Sequence, residues 1–163
     1  MAKNQDEAVL ADDALEDAGL ESRVYELGFH LDPELPTEEA KKAYQAVRAA
    51  IAGKGAIIAE GEPEKIQLAY TISLQETSGR RDFDSAYFSW IAYETTATEH
   101  AVIIAAAGTD KHIIRFIDLL TTKDAARHSV EVREISLKAS ERAEVAEEIA
   151  GAELDAALEN VVV

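Results

Sequence analysis

Four histidines, His30, His100, His112 and His128, are the side chains of this sequence that exchange protons near neutral pH and ligate metals. None stands in an H-x-x-x-H or H-E-x-x-H frame, the spacing that sets two imidazoles on one side of a helix, so no zinc site is predicted. Each reads instead as a surface or edge histidine. The absence of cysteine removes thiolate ligands and disulfides. "GKG" at 53–55 has the Gly-Lys pair of a phosphate loop, but Arg48 stands where the first glycine belongs and Gly55 replaces the Ser or Thr that would hold magnesium. It reads as a helix stop. Adjacent acids such as Glu38–Glu39 and Glu147–Glu148 diverge around a helix rather than converge. There is no G-x-S-x-G elbow. The expectation is a protein that is not an enzyme, with no catalytic residue, metal or cofactor.

The residue types that favour binding are more informative. Arg23, Lys65, Arg80, Arg81 and Arg115 are the basic residues singled out in the middle of the chain, and Arg80 and Arg81 sit together in the turn-rich "QETSGRRD". Guanidinium groups pair with phosphate in two-point geometry, although two arginines in a turn are as compatible with simple solvation. The background is acidic. The 163 residues carry a net charge of −16, divided as −6 over residues 1–21, −5 over 22–122 and −5 over 123–163. Such a chain repels nucleic acid in bulk, yet a local basic spot still acts within the roughly 8 Å reach of a charge at cellular salt. The longest apolar run, "AVIIAAAG", is far short of the ~20 residues a membrane helix needs. The N-terminus is acidic and lacks a signal-peptide pattern. A soluble, cytoplasmic protein is expected.

The elements that must position these residues can be read from periodicity. "SRVYELGFHL" alternates, with Tyr25, Leu27, Phe29 and Leu31 on one face, and predicts a strand. Thr37 is a candidate N-cap for a helix with Ala40, Tyr44, Val47 and Ile51 on one side. A strand in two pieces follows, 56–60 and 65–74, broken by "EGEP". In the second piece, "KIQLAYTI", Ile66, Leu68, Tyr70 and Ile72 share a face. "FDSAYFSWIAYE" predicts a third strand, apolar on both faces. Thr96 and Glu99 form a capping-box pair at a second helix, with Val102, Ile103 and Ala106 as its core stripe and Gly108 as its end. "KHIIRFIDLL" predicts a fourth strand. In the tail, "HSVEVREISL" reads as extended and the stretch from Ala139 onward as helix.

The order β-α-β-β-α-β predicts a ferredoxin-like α+β fold, a four-stranded antiparallel sheet with two helices on one face. Three segments follow: an acidic N-terminal extension (1–21), the ferredoxin-like domain (22–122) and an acidic, partly helical tail (123–163). All Phe, Tyr and Trp residues lie between Tyr25 and Phe116, inside the predicted domain. Only one side of the third strand can face the helices. The other face is expected to display some of Tyr87, Ile91 and Tyr93, a docking surface for a partner unless the tails fold over it.

Five stretches then coincide in order. "RVYEL", "LDPELPTEEA", "KIQLAYTI", "SAYFSWIAYE" and "HIIRFIDLL" resemble successive motifs of the S-six family of bacterial small-subunit ribosomal proteins, over roughly Ser22 to Lys123. The family's arginine pair before L-A-Y is replaced by Lys65 and Ile66, and its following proline by Thr71. The resemblance implies that the two-piece strand is one long bent strand, bulged near "EGEP" and paired with the third strand as an overhanging ribbon. It implies a ribosomal protein that binds small-subunit rRNA together with ribosomal protein S-eighteen, with no membrane or small-molecule partner. Arg23, Lys65, Arg80, Arg81 and Arg115 would then touch rRNA, and Tyr70, Tyr87, Ile91 and Tyr93 the partner protein. The residues alone leave open a ligand-sensing module that dimerises through its sheet.

Overall fold

In the computed structural model, residues 20–159 are described; the acidic extension expected over 1–21 falls almost wholly outside them. The elements are β1 (Ser22–Leu31), α1 (Thr37–Ala52), β2 (Ala56–Glu76), β3 (Gly79–Thr96), α2 (Ala97–Thr109), β4 (Ile113–Thr121) and α3 (Lys123–Glu159). The strands form one antiparallel sheet in the order β2-β3-β1-β4. The fold is the ferredoxin-like α+β arrangement expected from the sequence.

The core is the helix-facing side of the sheet. Tyr25, Leu27, Phe29 and Leu31 of β1 pack with Ala40, Ala43, Tyr44, Val47 and Ile51 of α1, and with Ile103 and Ala107 of α2. Each buried Leu, Ile or Phe contributes about 1.5–3 kcal/mol of transfer free energy. The α1 stripe is the one the periodicity predicts. Its start is different: Thr37 is the first helical residue, Pro36 precedes it, and no side chain caps the helix. Proline's fixed φ suits a helix entrance, so the helix does not require a hydroxyl there. At α2 the Thr96 side chain accepts from the Glu99 amide, as the capping pair predicts. The buried residues of α2 are Ile103 and Ala107, whereas Val102 is exposed and the helix runs past Gly108 to Thr109.

The long second strand is continuous but irregular. Its pairing with β3 shifts register between Ile57 and Ala59, between Gly61 and Glu64, and between Gln67 and Ile72. The middle shift is the bulge expected at "EGEP". At the third, residues 68–71 of β2 stand opposite Asp84 alone, so the strand arches and Tyr70 is 61% exposed. Beyond Tyr87, β3 has no β1 partner and pairs only with β2, which makes residues 66–86 an overhanging ribbon. Gly79 turns it at φ +129°, a conformation that favours glycine.

The described residues divide into two compact units, one on either side of the junction between Arg127 and His128. The sheet, α1, α2 and the first residues of α3 belong to the first unit. Thr122 caps α3 through its side-chain oxygen, which accepts from the Ala125 amide at 3.2 Å. The second unit is the remainder of α3. "HSVEVREISL", expected to be extended, is helical. The local alternation of Val130 and Val132 is outweighed by the 3–4 spacing of Val132, Ile135 and Ala139, which suits a helix.

Candidate functional site

The third strand has to choose which of its two apolar sides meets the helices, and its register with β1 decides. Tyr93 stands opposite Tyr25, Ile91 opposite Leu27 and Tyr87 opposite Leu31. All three lie in the core cluster, with exposures of 0%, 0% and 7%. The expectation that Tyr87, Ile91 and Tyr93 face a partner is therefore overturned, because they are the residues that bury the helices. The opposite face carries the other set, Ala86, Phe88, Trp90 and Ala92. This face is not bare either: Ala86, Trp90 and Ala92 are buried. Part of the cover comes from the first turn of α3, where Ala126 is fully buried and Lys123 pairs with Glu94 at 2.6 Å. On β4, Ile117 and Leu119 of this face are exposed, as is Leu120 on the helix side.

Gly61 of β2 stands opposite Trp90. A Cβ on Gly61 would lie 2.2 Å from the indole nitrogen, so the missing side chain is what lets the ring lie over β2. Ser89, pointing to the helix side, donates to the Gly61 carbonyl at 2.6 Å and holds the bulge in place.

The five predicted basic contacts are not gathered into one patch. By strand alternation Arg23, Lys65 and Arg81 belong to the helix side of the sheet, and Arg80 and Arg115 to the other. Arg81 is not a free cation. Its guanidinium donates to Glu76 at 3.0 Å, Asp32 at 2.9 Å and Glu34 at 2.7 Å, and stands 4.7 Å from the centroid of Phe83. It ties the β1–α1 loop to the overhanging ribbon. Arg80 is more exposed and donates to Asp82 and Ser73. Asp82 also accepts from the Ser73 hydroxyl at 2.5 Å, and that bond first, then the one from Arg80, holds its carboxyl below its ordinary range. Arg23 pairs with Glu21 at 3.2 Å. Lys65 donates to the Pro33 carbonyl at 3.3 Å and lies over the Tyr87 ring. Arg115 hydrogen-bonds the Tyr70 hydroxyl and stands 5.7 Å from that ring's centroid.

Two polar clusters were missed in the sequence. His100 is not a surface histidine. Its ring stacks on Tyr25 at 3.6 Å, its Nδ1 meets the Tyr93 hydroxyl at 3.0 Å, and its Nε2 meets Asp118 at 2.8 Å. Burial first, then the charge of Asp118, pushes the Tyr93 phenol well above its ordinary value. The signal was present in the i, i+3, i+7 spacing of His100, Ile103 and Ala107. The second cluster is Glu60, which accepts two hydrogen bonds from Arg48, at 2.7 and 3.0 Å, and one from Tyr44 at 2.6 Å. Arg48 chiefly holds the Glu60 carboxyl below its usual range. Burial, reinforced by Glu60, raises the Tyr44 phenol. This cluster joins α1 to β2.

Among the described residues, no group of three His, Asp or Glu side chains converges on a common point for a metal. No described helix is long and apolar enough to cross a membrane. A groove of about 150 Å³ between α1 and α2 is lined mainly by small apolar side chains, with Asp110 at its end.

No protein-family model and no curated protein sequence matches this chain. Among solved structures it is similar to 30S ribosomal protein S6 from Thermotoga maritima, with a TM-score of 0.52 and 18% sequence identity over 72% of this chain and 99% of the other. The fold is S6-like. At this identity the likeness establishes the architecture, and it spans nearly the whole of the S6 chain while leaving over a quarter of this one unmatched. The neighbour is a ribosomal protein of the 30S subunit.

Proposed function

We propose that this chain is a structural constituent of the small ribosomal subunit that binds small-subunit rRNA together with ribosomal protein S-eighteen. The observation that carries the reading is the bent second strand, bulged at Gly61–Glu64 and continued with β3 as an overhanging ribbon, on an S6-like fold. The five sequence motifs of the resemblance lie on this framework in the same order.

With Tyr87, Ile91 and Tyr93 inside the core, the partner surface passes to exposed apolar residues of β4, Ile117, Leu119 and Leu120. A chain of net charge −16 suits a basic partner protein. The rRNA contacts fall to Arg80 and Arg115, on one side of the sheet, and to Lys65 and Arg23; Arg81 is committed to three carboxylates. The test is sedimentation of host lysate containing the tagged chain. Co-migration with small subunits that persists at moderate salt is expected. A chain that stays at the top of the gradient at every salt concentration refutes the ribosomal reading.

A further inference from the structure

On the face away from the helices one row of side chains crosses the sheet in register. His30 of β1 stands opposite Phe88 of β3 on one side and Arg115 of β4 on the other, and Phe88 stands opposite Glu64 of β2. β3 and β1 are the two central strands. The His30 and Phe88 rings are 5.6 Å apart and tilted at 54°. At the end of the row, Arg115 meets the Tyr70 ring brought over by the arch at residues 68–71. Two residues away along β1, Gly28 is buried beneath its neighbours. A Cβ there would come within 3.3 Å of Ile117 Cγ2 and 3.7 Å of Phe88 Cε2. None of Tyr70, Phe88, His30 and Arg115 belongs to the core under the helices.

Three rings and a guanidinium, none fully buried, match a ligand that is planar and aromatic and carries a neighbouring negative charge. We propose that Tyr70, Phe88, His30 and Arg115 form a stacking site for an unpaired nucleobase of single-stranded RNA, with Arg115 holding the adjacent phosphate. Every base presents a π-face, and four-stranded antiparallel sheets take up single strands by stacking bases on rings of their central strands. The charge layout fits. No ion pair among the described residues involves Arg115. The acid of the row, Glu64, is three strand spacings away, about 14 Å, beyond the roughly 8 Å reach of a charge at cellular salt. Burial, and then the charge of Arg115, lowers the His30 pKa, so its ring is offered as a neutral stacking surface.

This site rests on the reading of the chain as an rRNA-binding protein, and it specifies where a base would be seated. The test uses the full chain, a fluorescein-labelled nine-residue oligouridine, a duplex RNA of similar length and small-subunit rRNA. The wild-type chain is expected to bind rRNA and to prefer oligouridine over duplex. Oligouridine should shift the ring protons of His30 and Phe88 upfield in the NMR spectrum. Tyr70→Leu and Phe88→Leu keep apolar bulk and remove a ring. Each should weaken oligouridine binding by roughly 5- to 150-fold, the worth of one stacked base. Arg115→Gln, at an exposed position, should lower the salt slope by about 0.7 whether or not a ring variant folds well. If the chain binds rRNA but oligouridine affinity is the same in wild type and Arg115→Gln, or duplex is preferred, this site is overturned and the ribosomal reading stands. If it binds neither rRNA nor oligouridine, both fall.

Discussion

Gly61→Ala is the sharpest test of how the sheet is built. The added methyl would lie 2.2 Å from Trp90 Nε1, 2.7 Å from Cδ1 and 3.1 Å from Cε2. Those atoms belong to a rigid ring that is only 3% exposed, so either the indole or the bulge of β2 must move. Forcing extra volume into packed surroundings costs about 1–3 kcal/mol. The entropy removed from the unfolded chain returns about 0.4–1 kcal/mol. The net expectation is a loss of about 1–2 kcal/mol, or roughly 2–8 °C in Tm for a chain of this size. Trp90 is the protein's single tryptophan, so intrinsic fluorescence reports on the perturbed ring itself. The variant should show an emission maximum moved to longer wavelength in the native state and an earlier urea midpoint. Gly151→Ala is the control: a Cβ there meets nothing within 4 Å inside α3, and alanine should leave the emission unchanged. Native stability and emission equal to wild type in Gly61→Ala would refute the argument that Trp90 requires a glycine opposite it.

Arg81→Ala should lower Tm and loosen the β1–α1 loop, seen as faster amide exchange near Asp32 and Glu34, while Arg80→Ala leaves both unchanged; equal effects would show that the three carboxylates do not distinguish the two arginines. Tyr93→Phe takes away the hydroxyl that meets His100 Nδ1 and should cost about 1–3 kcal/mol in urea unfolding, whereas a neutral result would mean that water replaces it. His30 has a lowered pKa in the fold, so the unfolded chain binds its proton first. Its contribution to stability is complete above the ordinary histidine value, about 6.5, and is lost as pH falls from there through the folded value. His30→Gln should flatten the stability profile in that acidic window, and an unchanged profile in urea titrations would remove His30 as its source.

Several elements were legible because a local period was enough. The alternation of Tyr25, Leu27, Phe29 and Leu31, the α1 stripe from Ala40 to Ile51 and the cap at Thr96 each specify an element from neighbours a few residues apart, and their order specified the fold. The segment near His128 was read as extended because two valines alternate, but a longer window favours the helix that forms. His100 was passed over as a surface residue, since its partners Tyr25, Tyr93 and Asp118 come from three different strands.

Composition and periodicity alone determined that this chain is acidic, free of cysteine, and patterned as two helices on one side of four strands. They could not say which side of β3 meets those helices. Both sides are apolar, and only the β1–β3 register, Tyr93 opposite Tyr25 and Ile91 opposite Leu27, sends one set into the core. That same pairing puts Phe88 beside His30, and the β1–β4 register sets Arg115 on His30's other side. Long-range register, which sequence spacing does not encode when a strand is apolar on both faces, is the physical reason the candidate site became visible only in three dimensions.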